Sequence, residues 1–229
     1  MTEAEWLACE DPTPMLEFLQ GQVSERKLRL FAVACSRRIW KLLANEPRQW
    51  IEVAEQYADG LVTQKELNNA ATVAKQAVGG RSANLAANAD AFSATYAAVD
   101  SIDATSADAA SILAANAVAH EQTRGAETVT GWDDAWKDER VIHSQLLHCI
   151  VANSFRPVTI NAAWLSWNDS TVRRIAQAIY DERAFDRMPI MADALEDSGC
   201  SNADILNHCR QPGEHVRGCH VLDLLLGKQ

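Results

Sequence analysis

Apolar residues return every three to four positions along most of this chain, which is the spacing of one helical face, and no stretch alternates as a strand would. Leu28, Phe31, Cys35, Ile39 and Leu42 form one such stripe and predict a helix over about 25–44. Trp50, Val53, Ala54, Tyr57 and Ala58 do the same over 47–59, and a weaker run rich in Ala, Asn and Gln covers 64–78. Trp136, Val141, Leu146, Leu147 and Ile150 predict a long helix over 133–152. Shorter ones follow near 161–166, 171–185, 189–198, 202–209 and 217–226.

The punctuation agrees with this reading. Thr2 with Glu5, and Thr63 with Glu66, have capping-box spacing. Thr13-Pro14 suggests a cap followed by proline at the first helical position. Asn168-Asp169-Ser170 and Ser201 are further expected starts, and Gly60, Gly79-Gly80, Gly199 and Gly227 fall where helices should stop. Residues 82–119 hold 16 alanines in 38 positions and no Lys or Arg, and read as two helices near 83–98 and 106–123 broken at 100–105. Such a hairpin could dock a partner helix, but small-residue faces usually meet their own core, and internal packing is the expectation. The predicted fold is all-α: an orthogonal bundle of about 10–12 helices with short turns, in one domain over 1–229. A seam near 125–131 would separate residues 1–124 from 132–229.

Composition narrows the function classes. The net charge of −10 argues against a non-specific grip on nucleic acid or an anionic membrane and suits a protein partner, a basic one included. The opening MTEAEWLACEDPTP lacks a basic stretch followed by an apolar one, and no apolar run approaches the ~20 residues of a membrane span. Six dilute cysteines read as reduced thiols, so a cytoplasmic setting is expected.

Candidate chemistry concentrates near the C-terminus, where Cys200, His208, Cys209, His215, Cys219 and His220 could supply four zinc ligands. There is no Cys-x-x-Cys knuckle, and neighbours such as His208-Cys209 or His148-Cys149 diverge on a helix. The cysteines are therefore expected to be small buried hydrophobes, with the histidines capping or exposed. A Cys219 nucleophile with His215 as base would need one helix to hold both, against Gly213 and Gly218. Arg26, Lys27, Arg37, Arg38 and Lys41 (with Arg29) form the one basic cluster: an anion or RNA site, or partners for the acidic helix carrying Glu52, Glu55 and Asp59. The carboxylates at 133–139 and 181–186 alternate with Lys and Arg and read as solvated faces. Trp164 and Trp167 share a face, as core or as an interface anchor.

The opening TEAEWLACEDPTPMLEFL, the RKLRLFAVACSRRIW helix and the stretch from FRPVTINAAWLSWNDSTVRRIAQAIYDERAFDRMPIMADALEDSGCSNADILNHC to EHVRGCHVLDLLLGK resemble an uncharacterised family of small, often paralogous proteins from aquatic bacteria with large genomes. The likeness covers roughly the first 43 residues and those from 153 onward. It implies a bacterial cytoplasmic protein and carries over no activity, cofactor or catalytic residue. The expected function is a non-catalytic helical module for protein interaction or regulation. The alternatives are an acidic immunity-type protein that neutralises a basic partner, and a zinc-binding or cysteine-dependent enzyme built on the C-terminal Cys/His segment.

Overall fold

A computed structural model describes residues 1–80, 86–100, 103–124 and 131–228, and every regular element among them is helical. The chain divides into two units, Met1–Ser144 and Gln145–Gln229. The boundary lies inside a helix, beyond the seam expected at 125–131, of which 125–130 fall outside the described residues.

The N-terminal unit contains α1 (Glu3–Leu7), α2 (Pro12–Leu19), α3 (Glu25–Arg38), α4 (Asn45–Ala58), α5 (Gln64–Gly80), α6 (Ala86–Val99), α7 (Ala104–Gln122) and most of α8 (Trp132–Ile150). The Thr2–Glu5 and Thr63–Glu66 boxes both form. Three boundaries differ from expectation. The α2 helix is capped by Asp11, whose side chain accepts from the Thr13 N–H, so Pro12 takes the first position and not Pro14. The α3 helix ends at Arg38 and gives way to a 3-10 turn at Trp40–Leu42 instead of running to residue 44. The α7 helix begins at Ala104, because Asp103 and Ser106 form a capping box. It packs against α2, α3 and α6, with Ala107, Ala110, Ala114, Ala115, Ala117 and Ala119 all fully buried. Methyl side chains let four helices crowd one axis, so the alanine-rich stretch serves internal packing.

The C-terminal unit takes the last turns of α8, then α9 (Ala162–Glu182), α10 (Met188–Asp197), α11 (Ala203–Arg210) and α12 (His220–Leu226). Trp167, Asn168, Asp169 and Ser170 leave helical geometry and divide α9 where the expected helices near 161–166 and 171–185 meet; Asn168, Asp169 and Ser170 form a left-handed turn there, with φ of 46°, 54° and 61°. Asn and Asp tolerate that region better than other side chains, because their short polar groups bond locally. The α11 cap is Asn202 and not Ser201, and α12 starts at His220, three residues after the expected position. Val172, Ala176, Ile179, Tyr180, Met188, Met191, Leu195, Ile205, Val221, Leu222 and Leu225 form the core of this unit, together with Cys149, Cys200, Cys209 and Cys219.

Candidate metal centre

The last turn of α8, the α11 helix and the connection from α11 to α12 together deliver four electron-pair donors to a single buried spot. Cys149 comes from the last turn of α8, where Leu146 and Ile150 set the inward face. His208 comes from α11, one turn after the buried Ile205. His215 lies in the connection that follows, and Cys219 is the residue before α12. Gly218, at φ +88°, turns the chain immediately ahead of Cys219, in a conformation that a β-carbon would strain. The ligand atoms of all four lie within 4.8 Å of one another, and all four residues are buried.

The separations fit one tetrahedral ion. Zinc–sulfur bonds of about 2.3 Å and zinc–nitrogen bonds of about 2.0–2.1 Å give a tetrahedral S···N edge of about 3.5 Å. His208 Nε2 is 3.2 Å from Cys219 Sγ. His215 Nδ1 is 3.6 Å from Cys149 Sγ and 4.0 Å from Cys219 Sγ. Burial by itself would push the Cys219 thiol up. The hydrogen bond with Cys149 and the neighbouring His208 and His215 rings outweigh it and hold Cys219 well below the ordinary thiol range. A thiol that gives up its proton easily is the form a metal takes.

Supporting groups surround the donors. The amide nitrogen Nε2 of Gln211 lies 3.2 Å from His208 Nδ1. The His220 ring sits 4.1 Å from that of His208, centre to centre, and its Nδ1 donates to the Cys149 carbonyl at 3.0 Å. His215 meets His208 edge-on at 4.8 Å, and its buried Nε2 has no hydrogen-bond partner among the described residues.

Of the six residues singled out from sequence, the fold brings together His208, His215 and Cys219. Cys200, Cys209 and His220 lie outside the donor set: the two thiols are buried in the apolar core, and burial pushes the Cys209 thiol far up. Two expectations do not hold. His208 and His215 are each 7% exposed, not capping or exposed at the surface. Close approach of His215 to Cys219 needs no shared helix, since the Gly218 turn achieves it. Sequence spacing misses Cys149 as a ligand because it precedes the rest by most of the unit. Its place on the inward face of α8 is the signal that could have found it.

A further buried polar assembly belongs to the N-terminal unit: Asp133, Asp134, Lys137 and Asp138 are exposed, as a solvated face should be, but Glu139 and Arg140 turn inward. Glu139 and Arg140 are 4% and 2% exposed. Arg140 donates to Ser111 Oγ at 2.8 Å and to Asp11, Thr13 and Asp108. Ser111 Oγ lies 2.9 Å from His143 Nδ1, and His143 Nε2 faces Glu139 at 3.2 Å. Glu139 is gripped by Arg38 through two contacts. Arg37 pairs with Glu55 and Arg26 with Asp59, so three cations of the basic cluster are engaged by carboxylates, while Lys27 is half-buried and Lys41 exposed. Trp164 and Trp167 pack half-buried against the C-terminal core. Among the described residues no helix is long and apolar enough to cross a membrane.

Comparison with family models, with curated proteins and with solved structures finds no match for this chain.

Proposed function

We propose that this chain is a zinc-binding helical protein in which Cys149, His208, His215 and Cys219 hold one ion that locks the C-terminal unit. The observation that carries the reading is the convergence of two sulfurs and two imidazole nitrogens from α8, α11 and the α11–α12 connection within 4.8 Å, all buried. Two thiolates with two imidazoles are the donor set zinc favours in closed sites. Four protein donors complete a tetrahedral shell and leave no position for water or substrate, so the ion acts as a clamp and not as a Lewis acid. The same burial argues against Cys219 as a nucleophile, because an attacking sulfur must meet its substrate. A non-catalytic helical module with an ion at its C-terminal core is the resulting picture.

Elemental analysis of protein purified without chelator tests it. One equivalent of zinc is expected per chain, with Cys149→Ser and Cys219→Ser each falling below about a tenth of an equivalent, given the tight binding of structural zinc. Cobalt(II) substitution should give the absorption of a tetrahedral thiolate complex. A metal-free chain that also refuses cobalt ends the proposal.

A further inference from the structure

Resting on the metal reading above, we propose that Gln211 is a positioning residue that fixes the His208 ring in the tautomer presenting Nε2 to the ion. The plane of that ring is already held: His220 lies 4.1 Å from its centre, and His215 abuts it edge-on at 4.8 Å. What remains free is the location of its one proton. Nε2 faces the donor set, 3.2 Å from Cys219 Sγ, so binding through that atom requires the proton on Nδ1.

Nδ1 in turn lies 3.2 Å from the amide nitrogen Nε2 of Gln211, the residue that closes α11 three positions later. A half-turn of the amide exchanges its oxygen for its nitrogen at nearly unchanged shape. With Nδ1 protonated, the oxygen is the end that fits, and the resulting N–H···O bond makes Nε2 a stronger donor. His215 is the internal contrast. It turns Nδ1 toward the two sulfurs, and its buried outer Nε2 has no partner among the described residues. One imidazole of the pair therefore has a neighbour that selects its tautomer, and the other has none.

Gln211 is itself exposed, so it can be changed without opening the core. The test is zinc affinity of the full-length chain, measured by competition with a chromophoric chelator across a pH series. Gln211→Leu keeps the bulk and removes the acceptor. It should weaken zinc binding by roughly ten- to a hundredfold and move half-release to higher pH. Gln211→Glu keeps an acceptor oxygen and should bind at least as tightly as the wild type. A Leu variant that matches the wild type, or a Glu variant that falls as far as Leu, overturns the role of Gln211 and leaves the metal site standing. A wild-type chain that takes no zinc removes both.

Discussion

In the N-terminal unit, polar groups are balanced against one another: buried Arg140 meets Asp108 and the exposed Asp11, Arg38 meets buried Glu139, and Ser111 and His143 bridge the two ends. In the C-terminal unit, Cys149, His208, His215 and Cys219 gather at one buried point, and all of them can offer lone pairs. The first assembly is a set of donors and acceptors that neutralise each other. The second is a set of similar ligands that a cation would unite. Burying unmatched polar groups costs stability in either case. The comparison shows two solutions in one chain: complementary side chains in one unit, and, on the zinc reading, a shared ion in the other.

The largest expected effect breaks the second solution. Cys219→Ala should abolish stoichiometric zinc and loosen the C-terminal unit, because structural zinc contributes about 10–16 kcal/mol of apparent binding energy to a folded site. Amide hydrogen exchange would read it: protection should fall in α11 and α12 and persist in α7. Equal losses in both places would mean that the ion does more than clamp the C-terminal unit.

Next comes the ion network. Arg140→Leu removes the cation and leaves Asp108, only partly exposed, without it. Breaking a fully buried pair costs about 3–5 kcal/mol, and the solvent and the Thr13 hydroxyl that Asp108 keeps reduce the loss below that range. Urea denaturation of the variant should show that loss with its zinc content unchanged.

A smaller effect follows from pH. Burial holds the His143 imidazole below its ordinary value of 6.5, with Glu139 beside it opposing the shift and Arg140 and Arg38 reinforcing it. The unfolded chain takes up this proton as pH falls below about 6.5, whereas the native state does not, so stability declines from there toward the folded value. The slope is at most about 1.4 kcal/mol per pH unit, and His143→Gln should remove it. Glu139 adds a second window. Burial would raise its carboxyl, but His143 and Arg38 bring it down to about 2. Its contribution is present above the ordinary 4.5 and is lost as pH drops toward that lower value. The smallest effect is local: Asp103→Ala unpicks the α7 cap and should cost about 1 kcal/mol in thermal or urea unfolding.

The helices were legible because their signals are local. The Leu28–Phe31–Cys35 stripe and the Thr2 and Thr63 boxes each occupy a few consecutive turns, and all appear where the spacing puts them. Boundaries slipped where two neighbouring residues could serve the same role, as with Asp11 against Thr13 or Asn202 against Ser201. The candidate metal centre was half legible. His208, His215 and Cys219 stand in one short segment, but their partner Cys149 belongs to a different helix, and no local pattern connects the two. Glu139 escapes a sequence reading for a related reason. Charges at 133–140 interleave as on a wet surface, and only the tertiary arrival of Arg38, beside His143 one turn along the same helix, explains a carboxylate held indoors.

On the zinc reading, the order of the four ligands along the chain has a kinetic consequence. His208 and Cys219 are separated by 11 residues, with His215 between them, so three ligands can gather with little loss of chain freedom. Cys149 stands 66 residues from His215, and closing a loop of that length costs about 4 kcal/mol in entropy before any bond offsets it. On the zinc reading, the α8 cysteine should accordingly be the last ligand to join during folding and the first to leave when the unit breathes.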